Sequence, residues 1–231
     1  MSCEERVAAI KACGLKDVTV LEFTPELASM TAEEFAVSFL KRSGDRFSTV
    51  RCGGNWRFGK GGEGDAEWLR ARGVAVEVAP YVEYRGERIS SSRIRECLER
   101  GEIADANAMM GRRFKVQGSR FKGKGLGRKI GYPTINLELS TLNLELPLGV
   151  YEIELDGAKG IANYGFAPTM GDRSWKKPIL EVHLLASHPS SLIPHPSSLI
   201  SFVHFLRPEK KFASIEDLKQ QIAADCATIA T

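Results

Sequence analysis

The sequence predicts an α+β protein in which a partial α/β unit is followed by a small antiparallel β-barrel with a C-terminal helix. Helix and strand signals alternate through the first part of the chain, which is typical of a parallel sheet covered by helices. Beyond about Gly111, apolar and polar residues alternate between closely spaced glycines and prolines, which favours a small barrel. From Ser214 onward, apolar residues recur at helical spacing. With 231 residues, the chain is long enough for two such units.

The N-terminal unit is predicted from helix caps and short apolar runs. The segment Thr31-Ala-Glu-Glu34 is a capping box, in which the threonine and the second glutamate satisfy N–H groups at the start of a helix. Ser91 or Ser92 could cap a later helix with Ile94 and Leu98 on its inner face. The other predicted elements are helices over 7–12 and 65–71 and strands over 18–21, 47–52 and 74–78.

The C-terminal unit is predicted from alternating apolar and polar positions. In 151–155 and 180–184, every second residue is apolar and the residues between them are charged or histidine, as in a strand with one buried face. Residues 202–206 are a further strand candidate, and Ser214 begins the closing helix. The two units join near 103–111, and the predicted domains are 1–105 and 106–231.

The composition excludes several classes of protein. Five cysteines lie far apart without a Cys-x-x-Cys pair, which argues against a disulfide framework and a zinc ribbon and suits the reducing cytoplasm. No apolar run is long enough to span a membrane, and the N-terminus lacks the pattern of a signal peptide. A net charge of +3 is too balanced to indicate a nucleic-acid partner. We therefore expect a cytoplasmic protein that binds neither a membrane nor a nucleic acid.

Residues 112–129 form a basic, glycine-rich segment, with eight basic residues, four glycines and no acidic residue. Such a run is ordinarily solvated surface, but glycine N–H groups beside cations also suit a bound phosphate. Gly118-x-x-x-x-Gly123-Lys124 begins like the phosphate-binding loop of P-loop NTPases. However, Gly125 stands where that loop needs a serine or threonine to hold magnesium. We therefore reject a P-loop NTPase.

Three polar residues farther along could serve phosphate chemistry. Thr134 and Asn136 are two residues apart, so on an extended chain their oxygens point to the same side and could hold Mg²⁺. The alternative is that they are turn residues following a proline. Glu181 stands among apolar residues, where a structural ion pair is the ordinary explanation. A carboxylate on a barrel strand could also accept a hydroxyl proton during phosphoryl transfer.

A short perfect repeat interrupts the barrel sequence. His188-Pro-Ser-Ser-Leu-Ile193 recurs as His195-Pro-Ser-Ser-Leu-Ile200. Two copies cannot build a solenoid, so we interpret the repeat as a loop formed by tandem duplication. The two histidines could be metal ligands, but no carboxylate or thiol accompanies them.

Several motifs follow one another in a fixed order through the second unit. They are Gly123-Lys-Gly-Leu-Gly-Arg-Lys-Ile-Gly-Tyr-Pro-Thr-Ile-Asn136, Leu148-Gly-Val-Tyr151, Ala162-Asn-Tyr-Gly165, Ala167-Pro-Thr169, Leu180-Glu-Val-His-Leu-Leu185 and Phe205-Leu-Arg-Pro-Glu-Lys-Lys-Phe-Ala-Ser214. In this order they resemble the riboflavin kinase family over roughly 106–231. In that family the fold is a small flavin-binding barrel, and the enzyme transfers a phosphate from ATP to the ribityl 5′-hydroxyl of riboflavin, which gives FMN and ADP.

The resemblance implies a set of site residues. Thr134 and Asn136 would bind Mg²⁺ together with ATP, and Glu181 would be the catalytic base. Arg207 would lie near the flavin, and His183 is interpreted as a structural residue of its strand. The loop over the nucleotide phosphates would contain Gly123, Lys124, Gly127 and Arg128. Riboflavin, FMN, ATP and ADP are therefore the expected partners, and Mg²⁺ is the expected cofactor.

The N-terminal part contains two further motifs, Arg57-Phe-Gly-Lys-Gly61 and Arg88-Ile-Ser-Ser-Ser-Arg-Ile-Arg95. They resemble the later part of a Rossmann-like nucleotidyltransferase domain, that of bifunctional riboflavin kinase/FAD synthetases. The His-x-Gly-His signature of that domain is absent, so we expect no FAD synthesis. All four histidines lie in the C-terminal half, at 183, 188, 195 and 204. We interpret the serines at 90–92 as a helix cap without a catalytic role.

Three alternatives stay open beside the kinase. The chain could be an inactive truncated fragment, because a broken sheet edge invites aggregation. It could bind flavin without catalysis, or its basic segment could bind RNA, although only Phe114 and Phe121 offer stacking surfaces there. The repeat stands where the family has a short acidic turn, which puts the nucleotide pocket and the local strand pairing in question.

Overall fold

The structure is a computed structural model that describes residues 3–40, 49–121, 125–139, 146–166, 178–185 and 198–230. The chain divides into two compact units, Met1–Tyr81 and Val82–Thr231. The domain boundary between 105 and 106 was drawn from sequence motifs and stays a prediction.

The first unit contains short helices and one pair of strands. Strands β1 (Val50–Gly53) and β2 (Val76–Ala79) run parallel, with Val50 opposite Val76, and this confirms the predicted α/β character. The capping box is also confirmed: Thr31 accepts a hydrogen bond from the N–H of Glu34, whose carboxylate accepts one from the N–H of Thr31. In chain order the elements are α1 (Cys3–Ala12), α2 (Pro25–Ser29), α3 (Ala32–Phe35), a π-helical turn (Ala36–Leu40), β1 (Val50–Gly53), a 3₁₀ turn (Lys60–Gly62), α4 (Ala66–Arg70) and β2 (Val76–Ala79).

One predicted strand of this unit was wrong. Residues 15–24 have no regular secondary structure, and Val20 and Leu21 within them are exposed. A β-prone run forms a strand only when a neighbour covers one face and pairs with its backbone. In the described part of the chain, β1 and β2 pair with each other and with no strand at 18–21.

The second unit is built around a closed barrel of six antiparallel strands, as predicted. A two-stranded hairpin and two helices precede it, and one long helix follows it. The elements are β3 (Glu83–Tyr84), β4 (Glu87–Arg88), α5 (Ser91–Glu99), α6 (Ile103–Met110), β5 (Phe114–Phe121), α7 (Leu126–Lys129), β6 (Ile135–Leu139), β7 (Gly149–Leu155), β8 (Ala158–Gly165), β9 (Ile179–Leu184), β10 (Ser198–Pro208) and α8 (Ile215–Ile229). Around the barrel the strands follow the order β10-β5-β6-β9-β8-β7.

Alternation along the strands separates the barrel interior from its outer face. Tyr151 and Ile153 on β7 and Leu180 and Val182 on β9 are fully buried, as their spacing predicts. Helices α5 and α6 pack against this core. Asn107 of α6 fixes that contact, because its amide donates to the carbonyl of one strand and accepts from the N–H of another. Its partners are Phe202 on β10, at 2.9 Å, and Phe114 on β5, at 2.6 Å.

Two details of this unit correct the sequence predictions. The cap of α5 is Ser90 rather than Ser91 or Ser92, since the Ser90 hydroxyl accepts from the N–H of Arg93. The last three residues of the second repeat copy, 198–200, belong to β10 and not to a loop, and Ile200 is fully buried. The rest of the repeat, with His188 and His195, lies outside the described residues.

Helix α8 lies against the outer face of the barrel. Its N-cap is Ser214, as predicted. Ile222, Cys226 and Ile229 pack with Val150 of β7 and Ile161 of β8. The contact holds the C-terminal helix beside the polar residues of the neighbouring strands.

Candidate active site

A pocket of about 550 Å³ lies on the outer face of the barrel, beside α8. Its walls come from strands β6, β8 and β9, the loop before β6, the end of β10 and one side of α8. This volume is within the range of roughly 300–1,000 Å³ that is usual for small-molecule sites. Five of the predicted site residues line it, namely Gly127, Thr134, Asn136, Glu181 and Arg207.

Three polar residues form a row across neighbouring strands at the base of the pocket. Glu181 on β9 lies opposite Asn136 on β6 and opposite Asn163 on β8. Side chains that face each other across antiparallel strands lie close together. The strand register therefore places the Glu181 carboxyl group between the carboxamides of Asn136 and Asn163. Thr134, two residues before Asn136, lines the same pocket.

The Glu181 carboxyl is half-buried, and its environment disfavours the charged form. Burial raises the pKa of Glu181, and the negative charge of Glu209 raises this pKa further. Among the residues that the structure describes, no lysine or arginine forms an ion pair with Glu181. The structural ion pair that the sequence left open is therefore not seen among the described residues.

The loop before β6 is folded tightly around Gly127. The Gly127 carbonyl accepts from the N–H groups of Ile130, at 3.2 Å, and Tyr132, at 2.8 Å. A side chain at 127 would place its Cβ 2.3 Å from the Tyr132 carbonyl oxygen and 3.1 Å from the Thr134 hydroxyl oxygen. Only glycine therefore lets this loop pass so close to Thr134.

The other predicted phosphate-loop residues are placed differently. Arg128 is exposed on α7 and does not line the pocket. Gly123 and Lys124 lie outside the described residues. The role of all four loop residues at the nucleotide stays a prediction.

His183 connects β9 to the loop that carries Thr134. Its Nδ1 lies 3.0 Å from the carbonyl oxygen of Pro133, and its ring meets the Tyr132 ring edge-on at 5.3 Å. A carbonyl oxygen only accepts, so Nδ1 must carry the proton. His183 thus keeps a structural role, as predicted, and it also lines the pocket.

Arg207 is held by a buried carboxylate from α8. Its Nε and Nη2 donate to Asp225 at 3.1 and 2.8 Å, and Gln221 donates to the same carboxylate at 3.0 Å. Asp225 is only 6% exposed. The bidentate contact fixes the plane of the guanidinium group at the edge of the pocket.

Several residues of the pocket could not be predicted from the sequence. Asn163 and Glu209 were part of the quoted motifs, Ala162-Asn-Tyr-Gly165 and the run from Phe205, but no role had been given to them. Asp225 had a weaker signal, since it follows Leu218 by seven residues and so falls on the same side of α8.

Comparison with known proteins gives the family. A family model described as riboflavin kinase matches residues 110–231. The chain belongs to the riboflavin kinase family. It is 35% identical over 222 residues to the bifunctional riboflavin kinase/FMN adenylyltransferase of Pseudomonas fluorescens, an alignment covering 93% of this chain and 70% of that protein. The enzyme of the same description from Escherichia coli K12 is 32% identical over 231 residues, covering 96% of this chain and 71% of that protein.

The N-terminal part and the fold also have relatives. A model described as FAD synthetase matches residues 1–93. A crystal structure described as a macrolide-efflux protein from Streptococcus pneumoniae superposes with a TM-score of 0.82 and 26% identity, covering 97% of this chain and 73% of that one. The described helices here include none long and apolar enough to cross a membrane. The fold of this chain therefore also occurs in a solved structure. The match to the riboflavin kinase model identifies its C-terminal part as an enzyme domain.

The polar residues of this pocket have the chemistry to hold a divalent cation. Thr134 and Asn136 offer a hydroxyl and an amide oxygen, which are hard ligands of the kind Mg²⁺ takes. Within the described residues, no group of three or more histidine, cysteine, aspartate or glutamate side chains could form a metal site by itself. A cation held here would therefore take its remaining ligands from phosphate and water.

Proposed function

We propose that this chain transfers the γ-phosphate of Mg²⁺–ATP to the ribityl 5′-hydroxyl of riboflavin, giving FMN and ADP. The observation that carries the proposal is Glu181. It is a half-buried carboxyl group with a raised pKa, in a pocket of about 550 Å³ and in register with Asn136 and Asn163. A base with these properties suits the removal of a proton from an attacking hydroxyl.

In this proposal the pocket residues divide into two groups. Glu181 accepts the proton of the 5′-hydroxyl as the oxygen–phosphorus bond forms, and the β–γ bridging bond of ATP breaks with its electrons leaving on ADP. Thr134 and Asn136 hold Mg²⁺, which would neutralise charge on the phosphate oxygens. The loop at Gly127 passes close to Thr134, so its backbone would border those phosphates.

The flavin is proposed to lie on the side of the pocket near α8. Phe166 and Phe212 line that region together with apolar residues of α8, and Arg207 is fixed beside them by Asp225. Aromatic and aliphatic walls suit the isoalloxazine ring, whereas the row around Glu181 suits the hydroxylated ribityl chain.

We further propose that this 231-residue chain does not convert FMN to FAD. The family's adenylyltransferase signature His-x-Gly-His requires two histidines in the N-terminal domain, and residues 1–182 contain no histidine. Residues 1–93 nevertheless match the FAD synthetase model, so adenylation must be measured and not assumed.

One chromatographic experiment tests both parts. The purified chain is incubated with Mg²⁺–ATP and riboflavin, and in parallel with Mg²⁺–ATP and FMN. We expect FMN from the first reaction and no FAD from either. No FMN above that formed by the Glu181→Gln variant would refute the kinase proposal, whereas FAD in the second reaction would refute only the proposed absence of adenylation.

A further inference from the structure

Asn163 stands beside the proposed base, although the proposed reaction gives it no role. It is half-buried on β8, it lines the pocket, and it is the direct partner of Glu181 in the pairing of β8 with β9. On the other side of Glu181, β9 pairs with β6, where Asn136 is the direct partner. The two asparagines therefore flank one carboxyl group from opposite sides, and the proposed reaction uses only Asn136.

A hydrogen bond to Glu209 fixes the orientation of the Asn163 carboxamide. The Asn163 side-chain nitrogen lies 3.3 Å from Glu209 Oε1. A carboxylate oxygen accepts hydrogen bonds and cannot donate them, so it must face the NH₂ end of the amide and not its oxygen. Asn163 Oδ1 is consequently turned away from Glu209. Within the part of the chain that the structure describes, no protein group donates a hydrogen bond to this oxygen.

Strand β8 is shaped to keep the Glu209 carboxylate in this place. Gly165 lies two residues after Asn163, so the two positions face the same side of the sheet. A Cβ added at 165 would overlap Glu209 Oε1, and any side chain there would displace the carboxylate. The glycine therefore provides the space from which Glu209 holds the Asn163 amide.

The order of the strands indicates which substrate passes Asn163. In the proposed reaction, Thr134 and Asn136 hold Mg²⁺–ATP at β6, and Glu181 receives the hydroxyl proton on the next strand, β9. The attacking and leaving oxygens of phosphoryl transfer are roughly in line, so the acceptor approaches from the side opposite ADP. That side is β8. The helix proposed to border the flavin ring, α8, also packs on β8, at Ile161. The ribityl chain, which joins the ring to the reacting hydroxyl, therefore crosses Asn163.

We propose that Asn163 is a specificity-determining residue of the kinase site, whose Oδ1 accepts a hydrogen bond from the 4′-hydroxyl of the ribityl chain. Facing side chains on neighbouring strands are about 4.5–5.5 Å apart at their Cβ atoms, so acceptors at Glu181 and Asn163 suit hydroxyls on adjacent carbons, 5′ and 4′. Glu209, accommodated by Gly165, is a positioning residue that acts through Asn163. This inference rests on the proposed function, which it deepens by naming the substrate group that is recognised.

A comparison of two flavins with two proteins tests the contact. The Kd values of riboflavin and 4′-deoxyriboflavin are measured by fluorescence quenching for the unaltered chain and for Asn163→Ala. The unaltered chain should bind riboflavin about two- to tenfold more tightly than 4′-deoxyriboflavin, the range expected for one neutral hydrogen bond. Asn163→Ala should bind both flavins equally, with an unchanged KM for Mg²⁺–ATP. A merely structural role would weaken both flavins alike and preserve their ratio.

Two further variants test the anchoring by Glu209. Glu209→Ala frees the Asn163 amide to turn, and Gly165→Ala displaces the carboxylate, so each should reduce the preference for riboflavin by less than Asn163→Ala does. Combined, they should reduce it no further than either does alone. Because the Glu209 side chain is exposed, its truncation tests the arrangement even where Asn163→Ala does not fold. The matched control, Glu216→Ala, removes an exposed carboxylate of α8 outside the pocket and should keep the full preference.

The outcomes separate this inference from the proposed function. The 4′-hydroxyl contact would be overturned if Asn163→Ala kept the preference of the unaltered chain, or if the unaltered chain bound both flavins equally. An unchanged preference in Glu209→Ala, or a larger loss than in Asn163→Ala, would overturn the positioning role of Glu209. Because these measurements follow binding, a chain that bound flavin without forming FMN would refute the proposed function alone. A chain that bound neither flavin would overturn both.

Discussion

The Asp225→Ala variant tests how the C-terminal helix is held to the barrel. Asp225 is 6% exposed and accepts hydrogen bonds from Arg207 of β10 and from Gln221 of its own helix. The Arg207 side chain is 20% exposed. Removing the carboxylate leaves a largely buried guanidinium group without a counter-charge, and water cannot fully replace the lost partner.

The size of the effect follows from this burial. Breaking a buried ion pair by removing one partner costs about 3–5 kcal/mol of unfolding free energy. Since a fifth of the Arg207 side chain still meets water, we expect the lower end, about 3 kcal/mol. In a unit of this size, each kcal/mol lowers the melting temperature by about 2–4 °C, so the expected loss is roughly 6–12 °C.

Urea unfolding followed by circular dichroism measures this loss. The control is Glu216→Ala on the same helix, where the carboxylate is 69% exposed and lies 3.6 Å from Lys219. An exposed pair of this kind contributes less than about 1 kcal/mol. The double variant Arg207→Met/Asp225→Leu should recover most of the stability, because apolar residues often replace a buried ion pair without loss.

Two results would refute this reasoning. Asp225→Ala could prove no less stable than Glu216→Ala, in which case the pair contributes no more than a surface contact. Alternatively, the double variant could be as unstable as Asp225→Ala. The loss would then come from altered helix packing and not from an uncompensated charge.

Two further predictions concern the pocket directly. Glu181→Gln should lower turnover about 10²–10⁴-fold with little change in riboflavin affinity. It should also raise the melting temperature at pH 7. Because the pKa of Glu181 is raised, this residue stabilises the fold while it is protonated, below the ordinary glutamate range, and that stabilisation is lost as the pH rises through the raised pKa. Glutamine carries no charge at any pH, so the advantage of the variant in melting temperature should shrink as the pH is lowered. Equal melting temperatures at pH 7 would contradict this. Thr134→Ala and Asn136→Ala should each raise the KM for Mg²⁺–ATP and leave flavin affinity, measured by fluorescence quenching, unchanged; normal ATP kinetics in either variant would exclude that residue from the metal site.

Much of the barrel could be predicted from the sequence because its strands carry a strong periodic signal. Alternation identified the buried positions of β7 and β9, and the cap at Ser214 identified the start of α8. The strand predicted at 18–21 failed for the opposite reason. Its apolar residues fit a strand, but no strand among the described residues covers them, and pairing is not visible in a local pattern.

The pocket could be predicted only in part, since its residues meet through strand register. Thr134, Asn136 and Glu181 were found because family motifs mark them. Asn163 and Glu209 could not be assigned, because Asn163 meets Glu181 only through the pairing of β8 with β9, and its hydrogen bond to Glu209 joins residues 46 positions apart. The pairing of Arg207 with Asp225 likewise depends on where α8 docks, which the amphipathic pattern of the helix does not specify.

The closure of the barrel by β10 has a consequence for how the protein is made. β10 pairs with β5 through Ser198–Phe202 and with β7 through Ile200–Pro208, so the first and last strands of the barrel are neighbours. While the ribosome is still synthesising the chain before Ser198, the nascent sheet therefore has two open edges, at β5 and β7. Open edges recruit other strands, so aggregation and chaperone binding should be concentrated in this interval of translation. Release of residues 198–208 from the ribosome then closes the ring and removes both edges in one step.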